Sequence, residues 1–377
     1  MRVLMITKAL VVGTYQRKAE ELARLPGMEL TVAVPPYWRE GAHHITLERT
    51  YTTGYELVTL PMVFNGHYHA HFYRDLDRLI ARVAPDVIHV DEEHYNVATL
   101  QGMRLADRRG IPALFFAWQN IPKRYPPPFS LIERYTLRHA AYAIAGNQDA
   151  ADIIRAKGYH GPIAVIPQFG IDPELFTPRE QSDADPFTIG FVCGPGRLTP
   201  VKGLHVLLEA LAGVDGAWRL QVIGDGESRD DCERLAGRLG IGARVAFLGV
   251  RPSTAMPEVM PGFDVLAGPS LTTPTWKEQF GRMLVEAMAC GVAVIGSDSG
   301  EIPNVVGDAG VIVPESDSKA LRGAIVRLRD DPAERRRLAE RARVRALALF
   351  TQEAVARRTY AVYQEMLEGT GWRAPRR

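Results

Sequence analysis

The stretch Glu278-Gln279-Phe280-Gly281-Arg282-Met283-Leu284-Val285-Glu286-Ala287-Met288-Ala289-Cys290-Gly291 sets two carboxylates eight positions apart across a loop-to-helix junction. A helix opening near Gly281 presents backbone N–H groups without intrahelical partners and the positive end of its dipole, which together can hold a diphosphate. Glu278 and Glu286 flank that turn, where they can accept hydrogen bonds from sugar hydroxyls. With the two carboxylates, Phe280, Gly281, Arg282 and Met283 become candidate ligand-binding positions, and the pattern reads as a nucleotide-sugar site.

A basic counterpart lies upstream in Gly194-Pro195-Gly196-Arg197-Leu198-Thr199-Pro200-Val201-Lys202-Gly203. This Gly/Pro-rich turn follows an expected strand at 187–192, so Arg197 and Lys202 fall at a strand's carboxyl end, where open α/β sheets bind ligands. Arginine offers a planar fork for phosphate oxygens and lysine a point charge. Either motif alone reads as a loop with solvated charges. Together they point to stabilisation of a diphosphate leaving group.

Working outward, short apolar runs alternate with helical periodicity in both halves, the signature of parallel sheets covered on each face. Strands are expected at residues 3–6, 30–34, 86–90, 113–116, 142–145 and 164–166, then at 187–192, 219–223, 245–248, 264–267, 292–295 and 311–313. Each half reads as a doubly wound α/β domain. At 377 residues the chain exceeds what one core usually supports. The polar, proline-bounded run 177–186 reads as the linker. The expected division is residues 1–176, linker 177–186, residues 187–350 and a final helical segment 351–377, with a cleft between the halves.

Composition bounds the function classes. Apolar residues make up 46% and charged residues 24%, as in ordinary globular chains. A formal charge of +1 lacks the basic excess that nucleic-acid backbones require, so no nucleic-acid partner is expected. No apolar run is long enough to span a bilayer, and the first residues enter a strand rather than a signal peptide, so a cytoplasmic location is expected. Cys193, Cys232 and Cys290 are odd in number and widely spaced, which indicates neither a disulfide framework nor a zinc site.

The two-glutamate motif at Glu278 and Glu286, the basic pair Arg197 and Lys202, and the run Val165-Ile166-Pro167-Gln168-Phe169-Gly170-Ile171-Asp172-Pro173-Glu174-Leu175-Phe176 together resemble glycosyltransferase family 4, retaining enzymes of the GT-B type. Gly300-Glu301-Ile302-Pro303 and Val311-Ile312-Val313-Pro314 resemble further family segments, so the resemblance covers nearly the whole chain. It implies two Rossmann-like domains facing each other across a cleft, the acceptor side first and the nucleotide-sugar side second. The last helix, apolar at Val355, Val362 and Met366, would cross back onto the first domain. The implied reaction moves a hexosyl group from a nucleoside-diphosphate sugar to a hydroxyl acceptor, a lipid-linked glycan, polysaccharide precursor or small molecule, with net retention, no cofactor and no obligatory metal. By the same resemblance Glu286 holds the ribose and Glu278 the transferred sugar. Arg197 and Lys202 stabilise the leaving group, which makes Arg197, Lys202 and Glu278 the catalytic candidates. Gly13, in the loop after the first strand, would approach the donor from the other domain; on its own it is equally the glycine of a plain β–α turn.

Departures and weaker signals complete the reading. Many family members carry a histidine after the strand at 113–116, where this chain has Ala117-Trp118-Gln119-Asn120. Gln119 can orient hydroxyls but cannot act as a base, and His94, in Asp91-Glu92-Glu93-His94, is the alternative contact to acceptor or sugar, or else a loop histidine. Gln168-Phe169 replaces the family's asparagine-glycine. Residues 248–252, with Val250 among them, are the expected base pocket. Asp183-Ala184-Asp185 matches an acidic metal motif of another glycosyltransferase fold, but it precedes its strand and reads as a solvated connector. His67, His69 and His71 alternate at strand spacing without carboxylate or cysteine partners, and read as loop histidines rather than a metal site. The basic and aromatic residues 122–129 and the amphipathic 131–138 read first as a surface loop and a core-facing helix, and second as a peripheral contact with anionic lipid at the inner membrane face. Two other functions share the pattern: an inactive nucleotide-sugar-binding module and a GT-B sugar-nucleotide epimerase. The retained Arg197, Lys202, Glu278 and Glu286 disfavour the first, and the lack of placed acid and base carboxylates disfavours the second.

Overall fold

The computed structural model describes residues 1–41, 43–179 and 186–368, which divide into two compact units. The first comprises residues 1–170 and the segment from Gln352 onward; the second is Ile171–Thr351. Asp183, Ala184 and Asp185 lie outside the described residues. The first unit ends at Gly170 rather than at residue 176, because 171–176 already belong to the second core. Ile171 bridges Thr351 and donates its N–H to the Phe350 carbonyl at 2.8 Å, and Phe176 is buried in the cluster that holds Met256 and Met260.

In the first unit, seven parallel strands run in the order Ile163–Val165, Tyr142–Ala145, Ala113–Ala117, Val87–Val90, Arg2–Ile6, Glu29–Val34, Glu56–Thr59. The central strands are buried along their length, which is why they read as continuous apolar runs rather than alternating ones. The expected strands fall within one or two residues of those found. Glu56–Thr59 escapes a sequence reading because it is a short, half-exposed edge strand. So do two small antiparallel hairpins, Tyr37–Glu40 with His43–Thr46 and Met62–Val63 with Phe72–Tyr73. The helix Gln352–Leu367 packs on this unit through Val355, Val362 and Tyr363, with Thr359 buried among them. The Tyr363 hydroxyl meets His89 Nδ1 at 2.7 Å, and the Tyr142 hydroxyl donates to Glu365 at 2.8 Å. Truncating an aromatic side chain of this burial costs about 3–5 kcal/mol, so Tyr363 alone ties the helix firmly to the strand Val87–Val90.

In the second unit six parallel strands run in the order Val245–Gly249, Trp218–Ile223, Phe187–Val192, Val265–Gly268, Ala293–Ser297, Val311–Val313. One apolar cluster covers each face. In each sheet the first strand lies inside, and the order reverses beside it: between Arg2–Ile6 and Val87–Val90 in one unit, between Phe187–Val192 and Val265–Gly268 in the other. At such a switch point the loops leaving adjacent strands diverge and open a crevice at their carboxyl ends. Among the described residues no helix is long and apolar enough to cross a membrane.

Candidate active site

The crevice of the second unit is a cavity of about 540 Å³ lined by Arg197, Lys202, Val250, Arg251, Glu278, Arg282, Met283 and Glu286, with Cys193, Ser253 and Met256 among its other walls. Two glycines let its loops come this close. Gly203 has φ +72°, and a Cβ there would sit 1.9 Å from the Pro269 carbonyl oxygen, so only glycine lets the Lys202 loop lie against the loop after Val265–Gly268. Gly300, with φ +53°, would place a Cβ 2.1 Å from the Glu278 carbonyl oxygen, which instead receives the Glu301 N–H at 3.1 Å. The Gly300-Glu301 segment thereby seats the Glu278 backbone.

Within the cavity Lys202 Nζ lies 2.7 Å from Glu278 Oε2, and the Ser270 hydroxyl donates to the same oxygen at 3.0 Å. The Lys202 ammonium also stands 4.7 Å from the centroid of the Trp276 ring. Carboxylate and indole together fix this cation. Among the described residues Arg197 makes no salt bridge, so its charge is available to an incoming anion. The helix Arg282–Ala289 opens at the cavity, and Arg282 Nε donates to Glu286 Oε1 at 2.8 Å. Burial pushes the Glu286 carboxyl up, with Arg282 opposing. Burial also pushes the Cys193 thiol up to about 11, so it stays protonated and unreactive at neutral pH. Phe280 and Gly281 do not line the cavity: the Phe280 ring packs edge-on against Phe350 at 5.6 Å, and Gly281 caps the helix. Ser253, Met256, Ser270 and Trp276 were not singled out by sequence. Ser270 and Trp276 sit in the loop between the strand at 265–268 and Glu278, and that placement was the available signal.

The crevice of the first unit is a smaller cavity of about 230 Å³, lined by Lys8, Tyr15, Trp38, Glu40, Asp91, Glu92, Glu93, Trp118 and Gln168 among others. Lys8 Nζ forms an ion pair with Glu92, and the Lys8 backbone N–H donates to Glu92 Oε1 at 3.1 Å. Burial pushes Glu92 up, but Lys8 and His71 outweigh it and hold the carboxyl at about 2. For Glu93 burial dominates and raises the carboxyl to about 7. Asp91 is also raised by burial, with Lys18 opposing. Trp118 donates its backbone N–H to Glu93 at 2.8 Å and its indole N–H to Gln168 at 2.9 Å, and Gln168 passes an N–H to Asp91 Oδ2 at 3.0 Å. The unusual Gln168-Phe169 pair thus has a place: Gln168 in this network, Phe169 stacked on Tyr15 at 4.1 Å.

His94 and Gln119 do not line this cavity. His94 is buried, its Nε2 3.0 Å from Glu133 and its ring against Phe115, and burial lowers its basicity. Gln119 donates to the Ile121 carbonyl at 3.1 Å and accepts from Lys157 at 3.2 Å. Gly13 is turned inward as well: its N–H donates to Glu48 at 2.6 Å, and a Cβ would meet Thr50 at 2.2 Å. The histidine series is scattered, with His71 buried beside Glu92 and Trp38 and His69 against Tyr95, Tyr125 and Phe129. Among the described residues no group of three or more His, Cys, Asp or Glu side chains could hold a metal ion.

Residues 177–345 match the family described as "Glycosyl transferases group 1", and residues 12–168 match "Glycosyl transferase 4-like domain". The chain is 33% identical to the D-inositol 3-phosphate glycosyltransferase of Segniliparus rotundus over 313 residues, covering 75% of this chain and 67% of that protein. It is 32% identical to the MMP alpha-(1->4)-mannosyltransferase of Mycolicibacterium hassiacum over 208 residues, covering 54% of this chain and 48% of that one. The chain thus matches about half to two thirds of the length of these curated relatives. Among solved structures, Anabaena HepE in complex with UDP superposes with a TM-score of 0.71 at 21% identity, covering 97% of this chain and all of the other. Two parallel-sheet units, matching family domains in both halves and relatives of this identity have one explanation: the chain belongs to glycosyltransferase family 4 and has the GT-B fold.

Proposed function

We propose that the chain transfers a hexosyl group from a nucleoside-diphosphate sugar to a hydroxyl acceptor, with retention at the anomeric carbon and without a required metal. The reading rests on one observation above others: Arg197, Lys202, Glu278 and the opening turn of the helix Arg282–Ala289 converge on a single cavity at a sheet switch point. As the bond from the anomeric carbon to the phosphate oxygen breaks, negative charge grows on that oxygen. Arg197 and Lys202, with the amides at Arg282 and Met283, are arranged to stabilise it before the reaction begins. Glu278 holds Lys202 in place and can accept from the donor sugar's hydroxyls; Glu286, at the far end of the same turn, is the ribose contact. In the retaining step the acceptor oxygen attacks from the face that the phosphate leaves, and its proton passes to the departing phosphate oxygen. The base sits toward Val250 and Ser253, and the UDP held by the Anabaena protein makes uridine nucleotides the first donors to test.

The acceptor belongs to the cavity of the first unit, whose aromatic and carboxylate walls suit a hydroxyl-rich ring. The relatives include a D-inositol 3-phosphate glycosyltransferase and an MMP alpha-(1->4)-mannosyltransferase. Peripheral membrane contact rests on the helix Phe129–His139, where Leu131 is exposed and Arg134 and Arg138 line a cavity with His160 and the ion-paired Lys157 and Glu133. Co-sedimentation with anionic vesicles at low salt tests it, and no binding removes it. The transferase reading is tested by incubating the chain with UDP-, GDP-, ADP- and dTDP-sugars, with release of nucleoside diphosphate and the anomeric configuration of the product read by NMR. Slow release without acceptor and a retained product are expected. Tight binding without turnover in the presence of acceptors, or a trapped glycosyl-enzyme, contradicts it.

A further inference from the structure

We infer that the cavity of the first unit selects an uncharged or amino-bearing sugar ring as acceptor and turns away phosphorylated or carboxylated ones. The inference rests on the transferase reading for the word acceptor, but its physical basis is local. Of the charged residues lining this cavity, one is a lysine and four are carboxylates: Lys8 against Glu40, Asp91, Glu92 and Glu93. Lys8 is already engaged, paired with Glu92 and held 5.4 Å from the Trp38 ring centroid. The charge left facing a ligand is therefore negative.

The hydrogen-bond inventory points the same way. Gln168 gives one N–H to Asp91, and Trp118 gives its backbone and indole N–H to Glu93 and Gln168, so these three donors of the wall are engaged by the protein. An ionised carboxylate only accepts, and Glu93 takes that form as pH rises through about 7. The carboxylates of the wall favour a ligand that brings donors, which hydroxyl and ammonium groups do and a phosphate dianion does not. Asp91 Oδ1 and Glu93 Oε2 are buried 3.8 Å from His89 and 3.7 Å from His94, so these two oxygens face the protein interior and not the cavity. Trp38, Trp118 and Tyr15 supply apolar walls against which the C–H face of a pyranose can lie. Other charged groups bear on the wall, Lys8, Lys157 and Glu92 on Glu93 and Lys18 on Asp91; Lys8 is paired with Glu92 and Lys157 with Glu133.

The test uses matched probes on the full chain: glucose, glucosamine and glucose 6-phosphate, with the mannose series in parallel. Binding is read by saturation-transfer NMR, with and without saturating UDP. The neutral and amino members are expected to bind, and the phosphate weaker by about tenfold or more, since like charges in a partly buried site repel strongly. In Glu93→Gln and Glu40→Gln variants that gap should narrow, while a thermal melt confirms that each still folds. Equal or tighter binding of the phosphate, binding of no member, or a gap unchanged in both variants overturns the inference. Nucleoside diphosphate release is measured in the same samples. Loss of that activity with the binding pattern intact removes the transferase reading alone, whereas turnover that prefers phosphorylated acceptors removes the inference alone.

Discussion

The two cavities occupy the same place in two sheets of like construction, yet their walls carry opposite charge. Each lies where strand order reverses, and each contains a lysine tied to a glutamate: Lys202 to Glu278 in the second unit, Lys8 to Glu92 in the first. With those pairs set aside, Arg197, Arg251 and the Arg282–Glu286 pair remain on one side, and Glu40, Asp91 and Glu93 on the other. Two unit charges about 5 Å apart at an effective dielectric constant of about 20 interact by roughly 3 kcal/mol, so a few loop residues suffice to make one crevice attract a diphosphate and the other repel it. The fold fixes where the crevices lie; the residues just past the strands decide their charge.

The contrast breaks most readily at Lys202. Lys202→Ala should lower kcat by about a hundred- to a thousandfold, roughly 2–4 kcal/mol of barrier, in steady-state assays of nucleoside diphosphate release. A loss below tenfold would mean that the basic cavity is not where charge develops.

The acidic cavity is sharpened by pH. Glu93 sits at about 7 in the folded protein against an ordinary 4.5, so the folded state favours its protonated form. That contribution is full below about pH 4.5 and is lost as pH rises through 7. Glu93→Gln keeps an oxygen for the Trp118 N–H and cannot ionise, so its stability relative to the parent chain should improve between pH 5 and 8 by up to about 3 kcal/mol. Thermal melts across that range check it, and parallel curves would show that Glu93 carries no such penalty. Glu92 has the opposite sense, its contribution being lost only as pH falls from 4.5 toward 2, outside this window.

Two smaller effects test how the basic site is held. Gly300→Ala puts a Cβ against the Glu278 carbonyl at a positive φ, and should cost about 1–3 kcal/mol of stability together with donor affinity. Trp276→Leu removes the ring beside Lys202 and should cost only about 0.5–1 kcal/mol, seen as a modest rise in the dissociation constant for nucleoside diphosphate with the fold unchanged.

The sequence made the basic site more legible than the acidic one, and the reason is physical. Arg197, Lys202, Glu278 and Glu286 stand in two short runs, each bounded by glycines that set a turn or a helix start, so local rules place them. The central strands were equally readable, because burial on both faces leaves apolar runs such as Phe187–Val192. Spacing cannot show that the Phe280 ring turns to Phe350, a partner far along the chain. Spacing likewise cannot show that Glu48 engages the Gly13 amide from another loop. In the first unit the imidazole of His94 drew attention, but the three residues nearest the strand's end, Asp91 to Glu93, are the ones at the switch point, while His94 turns toward Glu133. Glu56–Thr59 was missed because a half-exposed edge strand leaves little pattern.

The most direct measurement is calorimetric titration of UDP, GDP, ADP and dTDP into the full chain and into an Arg197→Ala, Lys202→Ala double variant. At least one of the four should bind the parent chain, and the variant should lose that affinity by a hundredfold or more, roughly 3 kcal/mol. If none binds, or if the variant binds as tightly as the parent, the cavity in the second unit is not a diphosphate site and the assigned reaction fails with it.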